Sequence, residues 1–413
     1  MSIWPRTARP ALSVGGVGLA EIAEKYGTPV YVVDEGHVRA RCREYRKAMG
    51  SHEVVYAASA FWCRAMARWI AEEDLSVSIC SEGQLVVARA VGFPPERILM
   101  HANGRTLGEL SSAIDYGVNR FVIDARDECA QLAAATDRPL HVLLRVTPDL
   151  EPHVHQGAAT VSESPQFGFS FASATAAAED IRVFSLVELA GVYCDLGSQV
   201  SGIEQYETAA RRLVALTAKL GGVAELNLGG GPALPHEPGA EGPGIAEFAQ
   251  RIGGVVRRAC SAYDIPVPRL TVEPGSAIVG PAGLTLCRVL TLERGPHPVV
   301  VVDGGVGDGP QLVPPGGRHF ERVGAPTGVR AEPVTVVGGD WEAGRVVVSD
   351  ALLPSDIRPG DLLAVPCTGA SHHVLASNYN LQARPPVIAV RDGRARPVIR
   401  RETGEDVLRR DVG

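Results

Sequence analysis

The sequence predicts an α/β protein in which a closed (β/α)8 barrel of the TIM type precedes a C-terminal all-β domain. Two observations carry this. From about residue 50, short runs rich in Val, Ile and Leu alternate eight times with Ala-rich segments of helical spacing. After about Pro281 the helical segments stop, and strand-like runs follow one another across Gly- and Pro-rich turns.

The eight runs are Val54–Ala58, Val77–Cys80, Ile98–His101, Arg120–Ile123, His141–Val146, Val187–Tyr193, Glu225–Leu228 and Leu270–Glu273. Ala60–Glu73, Gln84–Val91, Leu107–Tyr116 and Gln205–Leu220 are examples of the helical segments between them. Strand–helix alternation implies parallel strands joined by crossover helices. Eight units close such a sheet into a barrel, with a doubly wound open sheet as the alternative. In the second region Val299–Val302, Val346–Val348, Leu362–Val365 and Val387–Val390 read as strands, and Gly304–Pro333 as one long loop. Tyr31–Val33 lies before the barrel and is expected to pair into the β domain. The expected division is 1–35 for that N-terminal segment, 36–280 for the barrel and 281–413 for the β domain.

Composition narrows the function. Hydrophobic residues make up 45% of the 413 positions and charged residues 21%, enough for a large core in a soluble fold. A net charge of -7 without a basic run excludes a nucleic-acid partner. No apolar run reaches membrane-spanning length, and the first residues lack the apolar stretch of a secretory signal. The eight cysteines are scattered with no CxxC pair, so reduced thiols and a cytoplasmic location are expected. Lysine is rare: Lys25, Lys47 and Lys219 are the only three.

In a barrel of this kind chemistry sits at the C-terminal ends of the strands. Those ends carry Ser59, Ser81, His101 with Asn103, Arg145 followed by His153 and His155, Cys194 and Asp195 before Gly197-Ser198-Gln199, Gly229-Gly230-Gly231, and Glu273 before Gly275 and Ser276. Three successive glycines let backbone N–H groups approach an anion, so Gly229–Gly231 reads as a phosphate cup, with Ser198 as an added hydroxyl donor. A tight turn without a ligand is the plainer reading.

At these residues the chain resembles the diaminopimelate decarboxylases, in the group that also holds ornithine and arginine decarboxylases. The resemblance runs nearly end to end: YGTPVYVVDE (26–35), FPPERILMHANGR (93–105), LLRVTPDLEPHVH (143–155), FGFS (167–170), GSQ (197–199), LGGG (228–231), VEPG (272–275), VVDGG (301–305), DIRPGDLLAV (356–365), TGA (368–370) and NYN (378–380). It implies the alanine racemase type of fold, a pyridoxal phosphate site in the barrel and a homodimer with active sites at the interface. It further implies that Gly229–Gly231, Gly275 and Ser198 hold the phosphate and that Glu273 pairs with the pyridine nitrogen.

Against that resemblance several positions depart. The family carries, in a Tyr-Ala-x-Lys-Ala setting, the lysine that forms the Schiff base; here the stretch reads Tyr56-Ala57-Ala58-Ser59-Ala60, and serine cannot make an imine. The ring-stacking histidine is replaced by Asp195, the strand-two aspartate by Ser78, and the arginine of Glu-Pro-Gly-Arg by Ser276. The proton-donor motif is reduced to Val337-Gly-Gly-Asp340, and the tyrosine of Thr-Gly-Ala-Tyr is Ser371. The candidate catalytic residues are therefore Asp195, Cys194, His372 and His373: an Asp with a His could form an acid/base pair, and histidines with Asp195 could bind a divalent ion. Plainer readings stand beside each. A cysteine on a barrel strand usually packs, adjacent histidines on a strand point to opposite sides, and His101 and His155 are typical of the family. No metal site is expected.

Three functions follow. The first is a repurposed biosynthetic enzyme acting without pyridoxal phosphate imine chemistry on a small polar, amino-acid-like or phosphate-bearing molecule. The second is a non-catalytic protein that binds a ligand or pairs, as a heteromer, with a related decarboxylase. The third is residual pyridoxal-phosphate-dependent decarboxylation. The cofactor expectation is none required, or non-covalent pyridoxal phosphate at most.

Overall fold

The computed structural model describes residues 12–147, 168–197, 202–231, 244–304, 320–324, 329–339 and 346–413. Its described elements begin with a short hairpin, β1 (Ser13–Val14) and β2 (Val17–Gly18), then α1 (Leu19–Tyr26), β3 (Val30–Asp34) and α2 (Glu35–Met49). The barrel follows as β4 (Glu53–Ala57), α3 (Arg64–Glu72), β5 (Ser76–Ile79), α4 (Glu82–Ala90), β6 (Ile98–His101), α5 (Leu107–Tyr116), β7 (Arg120–Ile123), α6 (Arg126–Ala134), β8 (Leu140–Arg145), α7 (Phe171–Ile181), β9 (Val187–Tyr193), α8 (Ile203–Lys219), β10 (Glu225–Asn227), α9 (Ile245–Ala262), β11 (Arg269–Val272) and the short α10 (Ser276–Val279). The eight strands β4 to β11 form a closed, all-parallel barrel. This is the (β/α)8 architecture that the strand–helix alternation predicts, and an open sheet is excluded.

Local chemistry sets the helix boundaries. Thr106 and Glu109 cap α5 reciprocally, and the helix stops at Gly117, whose φ is +113°. A side chain there would also strike Pro95 at 2.9 Å. Ser81 caps α4 by accepting the Gln84 N–H. Inside the barrel Val55, Leu99, Val122, Leu143 and Tyr193 interlock as one buried cluster. Each is worth about 1.5–3 kcal/mol of transfer free energy when fully buried.

Charged first residues of four strands, Glu53, Arg120, Glu225 and Arg269, close the N-terminal end of the barrel. Arg120 donates to Glu53 and to Glu225 at 2.9 Å, and Arg269 reaches Glu225 at 2.8 Å and Glu53 at 2.9 Å. Ser76 donates to Glu53 and Thr271 to Glu225. Burial opposes the Glu53 charge, yet Arg120, Ser76 and Arg269 hold that carboxyl below its usual range.

The remaining elements are β12 (Gly283–Glu293), β13 (Val299–Val302), β14 (Glu321–Arg322), β15 (Ala331–Gly338), β16 (Val346–Pro354), β17 (Leu362–Pro366), α11 (His372–Leu375), β18 (Val387–Arg391), β19 (Arg394–Ile399) and α12 (Gly404–Leu408). Seven strands run in the order β16-β15-β13-β12-β3-β18-β19, and β17 pairs with β12 and β14. The N-terminal β3 lies between β12, antiparallel, and β18, parallel. By contact, one compact unit holds the described residues up to Ala40 and from Ile278 onward; the other holds those from Arg41 to Ala277.

Three readings of the sequence need correction. The segment 304–333 is not all loop, since β14 and the start of β15 fall in it, with Arg322 buried and paired to Asp356 at 2.9 Å. The long strand β12 escaped notice because its first five residues are buried on both faces, which erases the period-2 pattern. His372 and His373 lie on the helix α11, not on a strand, so the alternation argument for their directions does not apply.

Candidate functional site

The site grows from Glu273, the residue after β11. It is 5% exposed, and three neighbours hold it. Asn227 donates its Nδ2 to Oε1 at 2.8 Å, His101 Nε2 lies 3.5 Å from Oε2, and Ser78 donates its hydroxyl. Burial works against the charge, but these hydrogen bonds and the His101 ring outweigh it and keep the carboxyl below the usual range. His101 sits on β6, three strands round the barrel from β11, so Glu273 anchors a polar bridge across the C-terminal mouth. Tyr193 packs edge-on against His101 with ring centroids 5.3 Å apart.

The glycine turn after β10 is fixed to the same bridge. The Gly229 N–H donates to Asn227 Oδ1 at 2.9 Å, and the Gly229 carbonyl accepts the Glu273 N–H. Gly229 and Gly231 have φ of +63° and +73°, and Tyr206 donates its hydroxyl to the Gly231 carbonyl. A side chain at 229 would collide with Asp195 at 2.8 Å, whereas one at 231 would meet nothing within 4 Å among the described residues. Gly275 is needed for a different reason: a side chain there would press on Ala60 and Ala57 of the β4 end at 2.9 and 3.0 Å.

At the end of β9, Cys194 is fully buried, and burial pushes its thiol far above the ordinary range. That opposes a nucleophilic thiolate. Asp195 is half-buried and accepts the Gly197 N–H on Oδ1 at 3.0 Å. Ser198, the next candidate of the phosphate cup, lies outside the described residues, as do His153, His155 and Asp340.

Ser59 is exposed in the turn that follows β4. Lys47 belongs to α2 and Lys219 is the last residue of α8; those helices lead into the N-terminal ends of β4 and β10, opposite the mouth. Lys25 lies on α1 in the other unit. No lysine stands at the C-terminal end of a barrel strand.

Sequence reading placed Arg145 at a strand end of the mouth but missed its partner Asp124. Arg145 ends β8, pairs with Asp124 at 3.1 Å and stacks 5.6 Å from the Tyr193 ring. The Asp124 side chain is 6% exposed, burial raises its carboxyl, and its Oδ1 takes no hydrogen bond among the described residues. Asn227 was overlooked too, although a polar residue inside an apolar strand beside three glycines was the available signal. Ser78 was weighed only as a lost aspartate, and the structure gives it a hydrogen bond to Glu273.

His372 and His373 belong to the β-rich unit. His372 is buried with Nδ1 2.7 Å from the Ala370 carbonyl. His373 meets Tyr31 edge-on at 5.6 Å, and burial with Arg384 nearby lowers its ring to about 4, so it is neutral at pH 7. Among the described residues of its own unit Asp195 has no histidine partner. Among the described residues no group of three or more His, Cys, Asp or Glu could hold a metal ion. All eight cysteines are free thiols, and no described helix is long and apolar enough to cross a membrane.

Residues 35–280 match the family model described as the pyridoxal-binding domain of the pyridoxal-dependent decarboxylases. The diaminopimelate decarboxylase of Actinosynnema pretiosum subsp. auranticum is 48% identical over 99% of this chain and 95% of its own. That of Mycobacterium tuberculosis is 39% identical over 100% and 98%. Among solved structures, the diaminopimelate decarboxylase of M. jannaschii in complex with L-lysine has a TM-score of 0.88 at 25% identity, covering 95% of this chain and 94% of that one. These matches correct one expectation: a chain that requires no cofactor is not what a pyridoxal-binding domain and full-length decarboxylase relatives indicate. The fold, the mouth built on Glu273 and the glycine turn, and these relatives agree: the chain belongs to the pyridoxal-dependent decarboxylase family, among the relatives of diaminopimelate decarboxylase.

Proposed function

We propose that the barrel mouth holds pyridoxal phosphate without a lysine link, together with a small α-amino-acid ligand. One observation carries the reading. Glu273 is buried, kept ionised and tied through Asn227 to the glycine turn, so an anionic partner for a pyridinium and a backbone cradle are built as one unit. A buried carboxylate costs several kcal/mol to desolvate, roughly, unless it is met by such partners. The residues thus fit the group's non-covalent contacts: Glu273 for the ring nitrogen, Gly229–Gly231 for the phosphate and Gly275 for close approach. They do not fit its covalent one, since Ser59 stands at the strand end that resembles the family's lysine position.

Bound there, pyridoxal phosphate would supply an electron sink for bonds to the α-carbon of an amino acid. The chain's own part is to hold and orient. Glu273 keeps a proton on its partner, and Asn227 and His101 keep Glu273 in place. The relative solved with L-lysine supports a diamino acid as the ligand class. A homodimer belongs to the same reading: Val374, Leu375, Tyr379 and Leu381 stand exposed along one stretch of the β-rich unit, and a second copy is the partner that would cover them.

The test is covalent trapping. Wild-type protein is expected to bind pyridoxal phosphate, release it on dialysis and carry no phosphopyridoxyl mass after borohydride. Ser59→Lys is expected to gain both the trapped mass and a visible absorption band. Trapping on Lys25, Lys47 or Lys219 in the wild type, or no binding at all, would overturn the proposal. Sedimentation of the same preparation checks the assembly, and a monomer mass removes the dimer from the reading.

A further inference from the structure

Resting on that reading, we infer that the mouth selects the amine form of the cofactor, pyridoxamine phosphate, over its aldehyde and alcohol forms, and that Asp195 is the selecting residue. The first ground is the missing covalent partner. An aldehyde gains over an alcohol in such a site by reacting with a lysine, and no lysine stands at a described strand end of the mouth.

The second ground is the charge beside the glycine turn. Asp195 borders Gly229 so closely that a side chain there would lie 2.8 Å from Oδ1. Oδ1 accepts the Gly197 N–H; among the described residues Oδ2 accepts no hydrogen bond, and Asp195 is half-buried. Among the described residues Arg145 pairs with Asp124, and the His101 ring faces Glu273. A ligand without an ammonium would bring its phosphate toward the Asp195 carboxylate, whose Oδ2 has no donor among the described residues. A ligand that also carries an ammonium offsets that repulsion and gives the second oxygen a donor.

The third ground is continuity. Asp195 touches Gly229, the Gly229 carbonyl accepts the Glu273 N–H, and Gly275 packs on Ala57 and Ala60 on either side of Ser59. One unbroken lip of four adjacent strand ends, β9, β10, β11 and β4, therefore offers two carboxylates and a hydroxyl, with no cation among these residues. The preferred ligand is a phosphate ester with a primary amine.

Equilibrium dialysis of ligand-free protein against pyridoxamine phosphate, pyridoxal phosphate and pyridoxine phosphate tests this near neutral pH. In the wild type the amine form is expected to bind about tenfold more tightly than the alcohol form, a size typical of a partly buried ion pair. Asp195→Asn keeps a side-chain oxygen for the Gly197 N–H and is expected to bring the three ligands within about twofold of one another, since the charge term is gone. Raising the salt concentration should shrink the wild-type preference, which gives a second readout if the variant folds poorly. Equal binding of all three ligands by the wild type overturns the selectivity while leaving the site in place. A preference that survives in Asp195→Asn, or that ignores salt, removes Asp195 from the role. Binding of none of them overturns the underlying site proposal as well.

Discussion

The two ends of the barrel spend charge in opposite ways. At the N-terminal end Arg120, Arg269, Glu53 and Glu225 neutralise one another in a closed network, with Ser76 and Thr271 taking further oxygens. At the C-terminal mouth the described residues bring together the carboxylates of Glu273, Asp195 and Asp124, with Arg145 paired to Asp124, and an Asp124 oxygen is left without a hydrogen bond among the described residues. A closed network stabilises and leaves nothing to bind with. An open one sacrifices stability to keep groups available for a ligand.

Breaking the floor should therefore cost stability and spare binding. Arg120→Met leaves two carboxylates that are 14% and 5% exposed to the 44% exposed Arg269 alone, and should lower unfolding stability by up to about 3–5 kcal/mol. Urea titration measures it, and pyridoxal phosphate affinity, measured where the variant is folded, should be unchanged. A loss below about 1 kcal/mol would mean that the network is ornamental.

At the mouth, Asn227→Ala removes the donor to Glu273 and the acceptor for the Gly229 N–H in one step. A destabilisation of about 1–3 kcal/mol is expected, with a loss of cofactor affinity beyond any change in melting. If affinity survives, Glu273 and the glycine turn are held by something other than Asn227. The smallest effect belongs to Arg269→Met. Its side chain is 44% exposed, and Arg120 still neutralises the same two carboxylates, so less than about 1 kcal/mol should be lost. A larger loss would show that the floor acts as a single unit and not as a strong centre with a weak rim.

The barrel was readable from residue pattern because parallel strands buried on both faces leave uninterrupted apolar runs, as at Ile98–Met100 and Phe121–Ile123. The same double burial hid β12, whose first five residues are all buried and so lack the period-2 pattern. Glu273 and the glycine turn were legible as types of residue in place. That Asn227 joins them was not, because the contact spans 46 positions and depends on β10 and β11 being neighbours.

By itself the sequence determined the barrel and its eight strands, the family resemblance and the scarcity of lysine, since these follow from periodicity, motifs and composition. Only the tertiary structure decided who meets whom. It set His101 against Glu273 across the barrel, laid Asp195 on Gly229, and placed His372 and His373 on a helix of the other unit. The physical reason is that hydrogen bonds and charges act over a few ångströms. A chain pattern fixes which element carries a side chain; barrel closure fixes which side chains come within that reach.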